Sequence, residues 1–157
     1  MKNGAQQGYF LRNEFGNYLR QIKPDTAPLF GKMNPQQMAE HMAEYIRLGY
    51  GNPKINESAY SADVTEKMRS FLQSEKPFRP NTPNPLMPET PIAVKTNNYE
   101  EAIKDVEKAI TELFLAFEQN QALSINNPFF GTLDFSLTLR LLTKHAQHHL
   151  RQFGAYE

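Results

Sequence analysis

The stretch NYEEAIKDVEKAITELFLAFEQ, residues 98 to 119, decides the fold class. Tyr99, Ala102, Ile103, Val106, Ile110, Leu113, Phe114 and Phe117 recur three or four apart, which places them on one face of an α-helix while the charged residues take the other. No comparable run alternates with the two-residue period of a half-buried strand, and strand signals are nearly absent elsewhere. The spacing therefore predicts a helical protein and a long helix over 98–119.

Working toward the N-terminus, fifteen residues from Pro77 to Pro91 contain six prolines, which forbids regular helix or central strand. Disorder is one reading of this stretch; the preferred one is a long connection laid across the helices, since Phe78, Leu86 and Met87 give it something to bury. Before it, DVTEKMRSFLQ (63–73) carries Val64, Met68 and Phe71 or Leu72 at helical spacing behind an Asp63 cap, enough for a short extra helix. Asn34 offers an N-cap and Pro35 a first helical position for a helix from Pro35 to about Leu48, which Gly49, Gly51 and Pro53 end. Residues 5–22 put Leu11, Phe15, Tyr18, Leu19 and Ile22 on one stripe, ending at Lys23-Pro24. Toward the C-terminus, a turn with Asn127-Pro128 and Gly131 leads through a Thr132 or Asp134 cap into a helix over about 133–153. Four long amphipathic helices with one long crossover predict an all-α four-helix bundle, with the whole chain, 1–157, as a single domain.

Composition narrows the chemistry. Cysteine is absent, so disulfides, thiolate metal sites and a protein-borne thiol nucleophile are excluded, and any metal must sit on nitrogen and oxygen. Seventeen basic and seventeen acidic residues leave no net charge, which argues against a nucleic-acid partner. The polar MKNGAQQGYFLRNEFGNY start has no apolar signal core and the longest apolar run, Leu113 to Phe117, cannot span a bilayer. The expectation is a soluble, cytoplasmic protein with no membrane partner.

All four histidines lie in two short segments, EHM at 40–42 and KHAQHHLRQ at 144–152. His145 and His149, at i and i+4, share one helix face and can converge on one ion at the usual metal–nitrogen distance of about 2.0–2.1 Å. His41 lies on the apolar stripe of the Pro35–Leu48 helix and can supply the third ligand if the two helices face each other. Three neutral imidazoles leave a coordination position open, as a catalytic metal requires. His148 competes with His149, since His145 and His148 are neighbours at i, i+3, but it lies beside Lys144 and Arg151, whereas His149 continues the row of Thr138, Leu141 and Gln152. Gln152 can hydrogen-bond a metal-bound water or a substrate or orient a ligand, and Glu44, three residues after His41, is the candidate general base; Tyr45 can also reach the rim. The plainer readings are a hydrogen-bonded core histidine for His41, a solvated surface acid for Glu44, core packing for Met38 and Met42, and ordinary surface charge for the lysines and arginines.

GKMNPQQMAEHM (31–42) and KHAQHHLRQFG (144–154) together resemble the DinB/YfiT-like metalloenzyme superfamily, and more narrowly a branch in which a Phe-Gly turn, here Phe130-Gly131, precedes a last helix ending in an HxxxHxxQFG signature. The resemblance runs from the first helix to Gly154. It implies a four-helix bundle in which His41, His145 and His149 hold a divalent metal, zinc or nickel, with water completing the shell. Characterised relatives include S-transferases and an isomerase that use a low-molecular-weight thiol whose pKa the metal lowers, which suits a chain with no cysteine. The implied function is a metal-dependent transferase or hydrolase acting on a small molecule, with homodimerisation through a bundle face as a further expectation; the alternative is a non-catalytic metal- or ligand-binding bundle. One departure is the tryptophan that branch members carry shortly after the turn, where this chain offers Phe135 or Ser136.

Overall fold

The computed structural model describes residues 4–80 and 90–157. Six α-helices and one small hairpin follow in order: α1 (Gly4–Tyr9), a π-helical turn (Phe10–Glu14), α2 (Phe15–Gln21), α3 (Pro35–Leu48), α4 (Ala62–Leu72), α5 (Tyr99–Gln119), β1 (Ile125–Asn127), β2 (Gly131–Leu133) and α6 (Phe135–Gln152). The chain is predominantly helical, and among the described residues no helix is long and apolar enough to cross a membrane.

The helix expected over 5–22 is continuous but widens in its middle. The Phe15 N–H reaches the Phe10 carbonyl, five residues back, so Phe10 and Phe15 lie on one face with ring centroids 6.1 Å apart and both enter the core. Ile22 is extended, which ends the helix before Pro24. At the start of α3, Asn34 Oδ1 accepts from the Gln37 N–H at 2.8 Å while Gln37 Oε1 accepts from the Asn34 N–H at 2.9 Å, a reciprocal cap with Pro35 behind it. Ser61, not Asp63, caps α4, which begins at Ala62, two residues before the start that an Asp63 cap implies. Asn98 caps α5 through the Glu101 N–H, and Asp134 caps α6 through the Leu137 N–H, both at 2.9 Å.

The α3–α5 pair is the most extensive helix contact. Met38, Ala39, Met42, Ala43 and Ile46 of α3 are fully buried against the Tyr99–Phe117 stripe of α5, and Leu11, Phe15 and Leu19 close the core with Leu142, Ala146 and Leu150 of α6. Where the reading of the sequence left only a turn, β1 and β2 pair antiparallel, Asn127 opposite Gly131. Strands of three residues are too short for any periodicity to show. The buried Asn127 closes the loop: its Oδ1 accepts from the N–H groups of Phe129 (2.8 Å) and Phe130 (3.1 Å). Phe129 and Phe130 thereby join Leu72, Leu133 and Leu141 in a second, smaller apolar cluster between α4, the hairpin and α6, with Phe71 and Phe78 packed on it.

Both described ends of the proline-rich connection are tied down. Lys144 Nζ of α6, which the sequence suggested as surface charge, donates to the carbonyls of Ser74 (2.7 Å) and Lys76 (2.5 Å). On the return, Glu40 of α3 accepts from the backbone N–H of Lys95 (3.0 Å) and of Thr96 (2.9 Å), and Gln36 donates to the Thr96 carbonyl at 2.9 Å. Phe78 is packed as expected; Leu86 and Met87, also expected to pack, lie outside the described residues.

Candidate metal centre

Packing of α3 and α6 brings His41, His145 and His149 to one point. His145 Nε2 lies 3.1 Å from His41 Nε2 and 2.9 Å from His149 Nε2, and the three candidate ligand atoms all fall within 4.8 Å of one another. Three nitrogens held tetrahedrally by one zinc-like ion would be about 3.3 Å apart, so the His41–His145 and His145–His149 pairs need only a small outward adjustment to admit the ion. His145 and His149 are buried, and the HxxxH spacing on α6 stacks them one turn apart.

The proton count of this cluster favours a cation. Gln152 donates through Nε2 to the Phe30 carbonyl at 2.9 Å, which directs its Oε1 toward His149 Nδ1 at 2.8 Å. His149 Nδ1 must then carry the hydrogen, leaving a lone pair on its Nε2. His145 Nε2 faces both neighbouring Nε2 atoms, and one proton there can satisfy only one of them at a time, while His145 Nδ1 is buried with no hydrogen-bond partner. Extra protons are resisted: burial first, and the charge of His148 second, hold His41 down at about 4, and burial with the neighbouring imidazoles keeps His145 and His149 well below the ordinary histidine value. The cluster is thus neutral at neutral pH, and with the His145 proton on Nδ1 its Nε2 lone pair would join that of His149, which is the kind of donor set that a divalent metal accepts.

His148 stands apart from the three. Its ring packs between Phe30 (5.2 Å) and Phe78 (6.0 Å) at the edge of the cavity, and a hydrogen bond to the Phe78 carbonyl engages it. Gln152 has both ends of its amide in bonds to the protein, so it orients His149. Glu44 is exposed, pairs with Lys95 Nζ at 3.3 Å, and does not line the cavity beside the histidines. Tyr45 does line it, its ring 4.2 Å from His145 and nearly perpendicular; burial pushes its hydroxyl up to about 12, and a hydrogen bond from Asn127 offsets part of that rise.

That cavity, about 420 Å³, opens directly on His41, His145 and His149. Its walls are Met68 and Phe71 of α4, Phe78 of the connection, Phe129 and Phe130 of the hairpin loop, and Tyr60. Two contributors escaped the sequence reading. The Phe30 carbonyl that directs Gln152 carries no side-chain signature, and Asn127 looked like an ordinary turn residue. Gly31, within GKM, was the available signal: its φ is +74° and a Cβ there would meet Gln152 Nε2 at 2.7 Å, so the close approach of the loop to Gln152 needs glycine.

No protein-family model, curated protein or solved structure matches the chain.

Proposed function

We propose that the protein is a metal-dependent enzyme of the DinB/YfiT-like kind, in which His41, His145 and His149 hold one zinc or nickel ion and a small-molecule substrate enters the adjoining cavity. In this reading α1–α2, α3, α5 and α6 are the four helices of the bundle, with α4 and the proline-rich connection forming the crossover. The observation that carries it is the meeting of three neutral Nε2 atoms from two helices, one of them oriented by Gln152. An ion held there would supply Lewis acidity, lowering the pKa of a thiol or water that reaches it. The chain's own part is to hold the ligands, to exclude water with the aromatic walls, and to keep His149 in the Nδ1–H tautomer through Gln152. Thiol transfer fits a chain with no cysteine of its own, and hydrolysis is the simpler chemistry of the same centre. The cavity beside the histidines supports a catalytic over a purely structural metal.

Elemental analysis of protein purified without a metal-affinity column tests the reading. Wild type and His148→Ala should carry about one equivalent of metal and His149→Ala should lose it. A wild type that holds none and takes none up removes the enzyme proposal. Turnover of an activated electrophile with and without added thiol then separates transferase from hydrolase.

A further inference from the structure

The hollow above the three imidazoles has a pronounced chemical bias. Phe78 stands at its inner end, with its ring 6.0 Å from His145 and tilted 71° to it. It stacks on Phe71 at 5.6 Å and on Phe130 at 6.3 Å, so a bank of nearly parallel rings runs outward from the metal centre. Tyr60 and Phe129, 5.9 Å apart and mutually tilted, extend the aromatic lining. Among the described residues, no aspartate or glutamate lines the cavity; its charged or titratable groups are the four histidines, Arg79 and the Tyr45 and Tyr60 phenols.

We infer that this cavity takes a small molecule with an apolar, aryl-bearing body and one anionic group that reaches the three-histidine centre, an inference that rests on the metal-site reading above. Size permits it, since about 420 Å³ lies within the range of roughly 300–1,000 Å³ typical of small-molecule sites. Charge requires the anionic head: three neutral imidazoles leave both positive charges of a divalent ion uncompensated, and no carboxylate of the lining offsets them. The walls require the apolar body. Phenylalanine edges and faces offer offset-stacked and edge-to-face partners to another ring but no hydrogen-bond acceptor to a sugar or a peptide backbone, while a cationic body would face the charge of the ion and of Arg79 with no carboxylate to offset them. Phe78 is the specificity-determining residue, because it touches both the imidazoles and the stacked rings and so sets where an aryl body must turn away from the head group.

Zinc-loaded protein titrated calorimetrically with three hydroxamates sharing one metal-binding head provides the test: acetohydroxamate, 4-phenylbutanohydroxamate and the cationic 6-aminohexanohydroxamate. The aryl compound should bind at least tenfold more tightly than acetohydroxamate, the cationic one no more tightly than acetohydroxamate, and Phe78→Ala should collapse the aryl advantage to within about threefold. Equal affinities for the three compounds on zinc-loaded wild type would overturn the inference while leaving the metal site standing. If the protein takes up no zinc, the metal reading falls on its own, and 4-phenyl-1-butanol followed by saturation-transfer NMR on the same protein judges the body: transfer that Phe78→Ala abolishes supports the aryl site, and none overturns it. Far-ultraviolet circular dichroism of Phe78→Ala confirms that any loss is local.

Discussion

Gln152 accepts the Nδ1–H of His149 at 2.8 Å while donating to the Phe30 carbonyl at 2.9 Å. One buried amide therefore joins a candidate metal ligand to a loop more than a hundred residues away in the chain. Gln152→Leu keeps the bulk of the side chain but removes both bonds. It is expected to lower zinc affinity about 10- to 100-fold with helix content unchanged, as read by competition against a chromophoric chelator.

Gly31 supports the same link from the other side. Gly31→Ala places a Cβ against Gln152 Nε2 at 2.7 Å and forces a non-glycine residue to a φ of +74°. Gly154 has a nearly equal φ of +72°, but its Cβ would meet only Leu29 Cδ1 at 3.9 Å. Both alanine variants should lose about 1–2 kcal/mol in chemical denaturation. Only Gly31→Ala should also weaken zinc binding; an equal effect of Gly154→Ala would show that backbone strain alone is felt at the centre.

Asn127 holds the aromatic wall. Its Oδ1 accepts from the Phe129 and Phe130 N–H groups inside the protein. Asn127→Ala leaves two buried donors without an acceptor and should cost about 2–3 kcal/mol in unfolding free energy. Asn127→Asp, which restores an acceptor oxygen, should recover part of that loss.

Metal-free protein should be acid-sensitive in a defined window. Burial, then His148, holds His41 at about 4, while His145 and His149 are also depressed, chiefly by burial. Unfolded imidazoles titrate near 6.5, so between about pH 6.5 and 4 the unfolded chain binds more protons than the folded one. Stability is full above that window and falls as pH falls through it, His41 alone accounting for on the order of 2–3 kcal/mol by about pH 4.5. Urea unfolding of the apo-protein at a series of pH values reads this directly, and His41→Leu should flatten the slope. An unchanged slope in His41→Leu would contradict the depressed titration.

Much of the helical framework was legible because its causes are local. The α5 stripe, the Asn34-Pro35 start of α3 and the proline that limits α2 each act within one or two turns, so residue spacing and capping chemistry reveal them. The π-helical turn at Phe10–Glu14 and the three-residue strands were not legible. The first is selected by where Phe10 and Phe15 must pack, the second by the side chain of Asn127 closing a loop.

The candidate centre divides along the same line. By itself, the sequence determined that His145 and His149 share a helix face, that His41 lies on an apolar stripe, and that no thiolate can take part, since helical periodicity and composition suffice for each. Only the tertiary structure decided that α3 and α6 bring the three Nε2 atoms together, that His148 turns to Phe30 and Phe78, that Gln152 is spent on His149 and Phe30, and that Glu44 faces Lys95. Apart from Gln152–His149, these are contacts between residues tens to more than a hundred positions apart, and helix packing sets them: a helix's period says which side chains share a face, but the burial of other side chains decides what that face meets.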